Sequence, residues 1–223
     1  MILAIETSTP VCSVALATNP LSVTEERIEG KGVHSEYTFT FIRELLDRHN
    51  AGISDLEAVL FSNGPGSYTG LRIGAAAIKG LLFRQQVPLF TLQTLLSFAV
   101  PYIDAPPGII HSVIDARREH LYYQKVEKTQ GGLLRITNPA VRKIDDLEQE
   151  INDLEIITGT GWDRLSPEIR EGIRCHGTEA ITAKNLILGW YHPLVKSHLE
   201  KADVERFEPD YLTMSQLNNT SVG

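Results

Sequence analysis

Apolar positions along the chain change period several times. Ile2 to Ile5 is a short unbroken apolar run, and Cys12 to Ala17 alternates. Leu21 to Ile28 is a third, more polar run, ended by Gly30 and Gly32. Together they predict an antiparallel meander of three strands. The spacing then becomes helical: Tyr37, Phe41, Leu45 and Thr38, Ile42, Leu46 recur at intervals of four. This predicts a helix over about 36–49, capped by Ser35 and ended by Ala51-Gly52. A turn at Ser54-Asp55-Leu56 leads to a strand at 58–62 whose centre, Val59 to Phe61, is continuously apolar, as in a strand covered on both faces. A helix over about 70–85, a strand at 87–91 and a helix at 93–103 follow. Ala105-Pro106-Pro107-Gly108 breaks the pattern and predicts a domain boundary.

The second half repeats the order. A strand over 108–115 ends in Asp115, as the first ends in Glu6. Ala116 to Glu119 turn the chain, and 121–126 and 134–137 read as two further strands. A short helix at 144–151 precedes Ile156 to Gly161, a strand breaking into Gly-x-Gly that echoes 60–66. Thr182 to Glu200 reads as a last helix, kinked near Pro193. A tail, 207–212, leads to a polar end. Two copies of meander, helix, strand, Gly-x-Gly and helix predict an internally duplicated α/β fold. The expected domains are 1–105 and 106–223.

Between the strand at 58–62 and the helix at 70–85 lies the loop Gly64-Pro65-Gly66-Ser67-Tyr68-Thr69-Gly70-Leu71-Arg72. Glycines feeding a helix N-terminus are a common anion cradle, and Ser67 and Thr69 offer capping oxygens. The spacing fits neither phosphate loop: Gly70 is followed by Leu71 rather than lysine, and position 69 is Thr where a dinucleotide fingerprint needs glycine. It also lacks the Gly-x-Ser-x-Gly of a nucleophile elbow. Arg72 opposes the helix macrodipole, so it should answer to a carboxylate, a carbonyl cluster or a partner. Gly74 and Gly80 inside the helix suit close packing.

Charge narrows the classes. With a net charge of −7 over 223 residues, the surface as a whole is not made to hold nucleic acid. Cys12 and Cys175 are too few for a disulfide framework and lack metal-binding spacing. No basic start resembles a signal peptide and no run of apolar residues is long enough for a membrane span. The expectation is a cytoplasmic protein with no metal site.

The residues Ile2-Leu3-Ala4-Ile5-Glu6-Thr7-Ser8-Thr9, Cys12 to Leu16, His34, the loop Gly64 to Gly74, Ile114 to Arg117, Gly159-Thr160-Gly161-Trp162 and Glu208 to Leu212 resemble the TsaB (YeaZ) family. The loop is the specific part. The resemblance implies two ribonuclease-H-like lobes of mixed sheet plus helices, in the actin/Hsp70-like manner. It implies a non-catalytic subunit for N6-threonylcarbamoyladenosine formation at position 37 of ANN-decoding tRNAs. Its partners would be the transferase TsaD and the ATPase TsaE, with tRNA met only through the complex and a homodimer formed when alone. It also implies that helices 36–49 and 70–85 make the TsaD contact, with Tyr37, Phe41, Leu45, Ile73, Ala77 and Leu81 as the expected interface. Two residues depart from the family pattern: Glu6 stands where many relatives carry Asp, and Thr213 where an arginine is common.

Catalysis by this chain is the competing reading. An ATPase of this fold needs a glycine after each hairpin acid. Glu6 is followed by Thr7 and Asp115 by Ala116, so both read as vestigial cleft acids. They retain the alternative of a small ATPase or kinase-like enzyme, since Mg²⁺ needs few carboxylates. A metallopeptidase is disfavoured because the helix after His34 has Thr38 where a second histidine ligand would stand. Ser67 has no identifiable base. The isolated chain is expected to hold no tight cofactor, with ATP or ADP left possible in the assembled complex.

Overall fold

The computed structural model describes residues 1–106 and 108–212. The chain runs β1 (Ile2–Glu6), β2 (Val11–Asn19), β3 (Ser22–Glu29), α1 (His34–Arg48), β4 (Ala58–Ser62), α2 (Tyr68–Leu81), β5 (Leu89–Leu92) and α3 (Thr94–Ala99). It continues β6 (Gly108–Asp115), β7 (His120–Lys128), β8 (Leu134–Ile136), β9 (Ala140–Lys143), α4 (Ile144–Glu148), β10 (Ile156–Thr158), α5 (Pro167–Gly172) and β11 (Arg174–His176). The last elements are α6 (Lys184–Tyr191), α7 (Pro193–Lys196) and β12 (Glu200–Ala202).

Two sheets carry the duplication. The first is ordered β12-β5-β4-β1-β2-β3, the second β11-β10-β6-β7-β8, with β9 also on β7. In each, an antiparallel meander of three strands is extended by two strands parallel to the first, β4 and β5 beside β1, β10 and β11 beside β6. The expected two-lobed α/β fold is thus present.

β1 and β4 are buried along their whole length. Their side chains still alternate, but between two cores. Leu3, Ile5, Val59 and Phe61 point to the core under α1 and α2, whereas Ile2, Ala4, Ala58 and Leu60 point to a second core. The second core also takes Leu96 of α3, Leu186 and Trp190 of α6, and Ile110, Val126 and Ile156 of the other sheet. It is the seam between the lobes, and α6 fills it.

Three expected elements come out differently. Ser35 does not cap α1; the helix begins at His34 with Val33 before it, and the Ser35 hydroxyl donates to the Gly32 carbonyl at 3.3 Å. The helix expected over 182–200 splits into α6 and α7 at Pro193, and Glu200 starts a strand, β12, paired antiparallel with β5. The domain boundary shifts with it: β12 completes the first sheet, and Phe207 joins the core under α1 and α2. The C-terminal segment therefore belongs structurally to the first lobe rather than to a unit spanning 106–223.

Candidate functional site

The loop at 62–70 is built against the turn that follows β1. Ser67 N donates to the Ser8 carbonyl at 2.6 Å, and a Cβ added at Gly66 or Gly70 would fall on the carbonyl oxygens of Ser8 and Thr7. These two glycines exist so that backbone can lie against backbone. Other loop amides are also used internally: Gly64 N donates to Thr94 Oγ1 at 3.0 Å and Gly70 N to Ser67 Oγ at 3.2 Å. Ser67 is the cap of α2, while Thr69 lies inside its first turn. In this geometry the loop covers the β1–β2 turn instead of leaving it open to a phosphate. The tail closes the other side: Asp210 N donates to the Asn63 carbonyl at 2.7 Å, and Tyr211 packs on Tyr68 with ring centroids 4.9 Å apart. Thr213 lies outside the described residues.

The two hairpin acids occupy equivalent strand ends but different environments. Glu6 is 1% exposed. Its Oε1 accepts from Ser8 N at 2.7 Å and from Ser8 Oγ at 2.5 Å, and Oε2 is buried near the Ser62 hydroxyl. Burial pushes the carboxyl above its ordinary value, against the pull of hydrogen bonds from Ser62 and Ser8. Asp115 is exposed, pairs with Arg164 at 2.5 Å and accepts from Arg117 N at 2.8 Å. It lines a cleft of about 390 Å³ with Gly66, Ser67, Tyr68 and Arg117. The structure does not bring Glu6 and Asp115 to one open site.

His34 is buried, and its Nε2 lies 2.8 Å from the Thr9 carbonyl and 3.3 Å from that of Val11. Burial lowers its pKa, partly offset by those backbone bonds. A neutral imidazole donating to Thr9 ties α1 to the β1–β2 turn. Among the described residues no group of three or more His, Cys, Asp or Glu could hold a metal ion. Cys12 is a buried core residue 3.5 Å from the Thr38 hydroxyl. Among the described residues Arg72 meets neither a carboxylate nor a carbonyl cluster: its Nη1 donates to the Tyr68 hydroxyl at 2.8 Å, four residues back.

The helix pair α1 and α2 faces two ways. Leu45 and Ala77 are 0% and 1% exposed, and Phe41 and Leu81 are also buried against the sheet. These four therefore offer no surface to a partner; the regular i, i+4 stripe is the core stripe. Tyr37 and Ile73 stay half-buried. The outward apolar residues lie elsewhere. Phe39 is 52% and Phe83 68% exposed, with exposed Ala76 and Gly80 on the same side of α2. A Cβ at Gly80 would sit 3.8 Å from the Phe39 ring, so the two helices meet there. The signal for Phe39 was available in the sequence: it is an aromatic residue on the otherwise polar side of the α1 helical wheel.

A family model described as "TsaD: tRNA N6-adenosine threonylcarbamoyltransferase" matches residues 30–161, more than half of the chain and including all of this helix pair. The chain belongs to the TsaB/YeaZ family. The tRNA threonylcarbamoyladenosine biosynthesis protein TsaB of Haemophilus influenzae is 29% identical over 171 residues, covering 72% of each chain. That of Escherichia coli is 28% identical over 166 residues, covering 72% of this chain and 71% of its own. The Bacillus subtilis TsaB is 26% identical over 220 residues and covers 96% of this chain and 95% of its own. Among solved structures, YeaZ from Pseudomonas aeruginosa superposes with a TM-score of 0.76 at 25% identity, covering 95% of this chain and 99% of that one. The family is named for tRNA threonylcarbamoyladenosine biosynthesis, and its relatives here are called biosynthesis proteins. No helix among the described residues is long and apolar enough to cross a membrane.

Proposed function

We propose that this TsaB-family chain is a non-catalytic scaffold in N6-threonylcarbamoyladenosine formation on tRNA, pairing with a transferase of TsaD type. The observation that carries the pairing is the outer face of α1 and α2. Phe39 and Phe83 stand exposed with Ala76 and Gly80 beside them. Large exposed aromatics beside small residues are suited to a well-packed protein interface, with aromatic anchors and little backbone separation. The revised contact set is Phe39, Ile73, Ala76, Gly80 and Phe83. An isolated chain would cover the same face with a second copy, and TsaE would join the assembled pair. The sealed position of Glu6 gives the kinase-like alternative no support.

The test is association with a TsaD-type partner, followed by size-exclusion chromatography and calorimetry. Phe39→Asp and Phe83→Asp should each weaken the pair at least tenfold, the cost of a desolvated charge in an interface core. Leu21→Asp is the control, because Leu21 is 97% exposed at the distant β2–β3 turn. Unchanged affinity in both phenylalanine variants would reject this face as the contact.

A further inference from the structure

The turn between β6 and β7 places Arg117 and Arg118 consecutively at φ +70 and +54. Side-chain-bearing residues seldom adopt this region, and such positions persist where the surroundings hold them, often at functional sites. The holding contacts are visible. Asp115 accepts from Arg117 N, and Arg164 both pairs with Asp115 and donates to the Arg118 carbonyl. Both turn arginines are exposed, and neither has an ion-pair partner among the described residues.

Arg117 lines the cleft of about 390 Å³ whose other wall is Ser67, Tyr68 and Thr69. Tyr68 also lines a neighbouring cleft of about 420 Å³ with Arg72, Lys79 and Tyr211. The clefts thus meet at Tyr68, whose exposed ring lies against Tyr211 and under the Arg72 guanidinium at 5.3 Å. Three carboxylates share the strip: Asp115, already held by Arg164, Glu119 on the turn and Glu208 in the second cleft. The cations outnumber them, on a chain whose net charge is −7. Local excess of positive charge against an acidic background, interleaved with accessible tyrosine faces, is the chemistry of a single-stranded phosphodiester contact.

We propose that the strip from Arg117 and Arg118 through Tyr68 to Arg72 and Lys79 contacts RNA directly. Its cations meet phosphates, and the Tyr68–Tyr211 pair supports an unstacked base. The proposal rests on the reading that the chain acts in tRNA modification; because Arg72, Ala76 and Gly80 follow one another at intervals of four along α2, the strip adjoins the proposed partner face, and pairing is measured on the same variants.

The experiment is fluorescence-anisotropy titration of the full chain with an anticodon stem-loop RNA at several low salt concentrations. Arg117→Glu/Arg118→Glu should lower affinity at least tenfold and reduce the slope of log K against log salt by about 2, one per phosphate contact. Tyr68→Ala should weaken binding with little change in slope, and Lys201→Glu, at the edge strand β12, should do neither. Absence of RNA binding by the wild-type chain at low salt overturns the proposal. So does an unchanged slope in the double variant, and if that variant instead weakens the pair with a TsaD-type partner, the strip is a protein contact. Partner binding measured on the same variants keeps the two failures apart: lost RNA binding with intact pairing leaves the scaffold reading in place.

Discussion

Gly70 shows how much one residue can settle. A side chain there would overlap the Thr7 carbonyl oxygen, a backbone atom that cannot swing aside. Gly70→Ala should therefore destabilise the chain by about 2–3 kcal/mol, the range for overpacking a close contact, read as a lower urea midpoint. A change under about 0.5 kcal/mol, typical of neutral surface substitutions, would show that the loop is free to lift from the β1–β2 turn. Glu6 is the complementary case. Its carboxyl titrates above the ordinary 4.5 because it is buried. The folded chain then holds more protons than the unfolded one just above that pH, so this group's contribution falls as pH rises. Glu6→Gln keeps the shape and removes the ionisable proton. It should be as stable as the wild type or more so at neutral pH; a loss beyond about 2 kcal/mol, the cost of an unsatisfied buried group, would show that an ionised carboxylate is required. Neither residue's environment could be read from the sequence. Glycine spacing showed what the loop was not, while the backbone that Gly66 and Gly70 lie against is some sixty residues away in the chain, and that beside Gly64 belongs to Asp210.

At the scale of elements, helical periodicity located α1 and α2, but the apolar stripes that the resemblance led one to expect at a partner contact are largely buried within this chain. On these stripes Phe41 and Leu45 of α1 and Leu81 of α2 join the core against the sheet, and Ala77 is buried as well. This is the ordinary physics of an amphipathic helix: the regular apolar face buries first against its own core. The proposed interface is written more faintly, as one exposed aromatic, Phe39, on the polar side of α1. The C-terminal segment carries a further prediction. Phe207 packs its ring edge-on against Phe61 at 5.8 Å and anchors the tail whose Tyr211 meets Tyr68. Phe207→Ala should cost roughly 3 kcal/mol, as for other buried phenylalanine truncations. It should also raise hydrogen exchange in the loop amides of Asn63 to Gly70. Exchange confined to the tail itself would mean that the loop does not need the strap. Short strands such as β9, β11 and β12 were absent from the sequence reading because three or four residues carry too little periodicity.

For the whole molecule, the seam between lobes is both apolar and polar. α6 fills the apolar part, while Arg27 of β3 donates to the carbonyls of Ile181 and Thr178, at 3.0 and 2.6 Å, just before that helix. Glu25 adds bonds from Ser13 and the Lys184 ammonium. The second lobe carries its own pH dependence. His111 is buried between Tyr123, whose hydroxyl is 2.9 Å from Nδ1, and Glu155, 2.7 Å from Nε2. Burial lowers its pKa below 6.5 despite the Glu155 bond. The unfolded chain then binds the extra proton first, so stability is full above pH 6.5 and is lost as pH falls through the lower folded value. Urea unfolding followed from neutral pH down to about 5 should show a decline that His111→Gln flattens. Equal slopes in both proteins would remove His111 as its source.

The sequence by itself determined the longer elements of the first half, the duplication and the family, because these are carried by local period, by turn residues and by a contiguous loop. The meander, the strand over 58–62 and the strand over 108–115 could be read from neighbouring residues alone. Only the tertiary structure decided which helix face is outward, that β12 returns to the first sheet, that Glu6 is sealed while Asp115 is open, and that Arg117 and Arg72 border adjoining clefts. Each of these depends on contacts between residues tens to more than a hundred positions apart. Burial and charge pairing at that range are properties of the packed chain, and the local pattern carries them faintly or not at all.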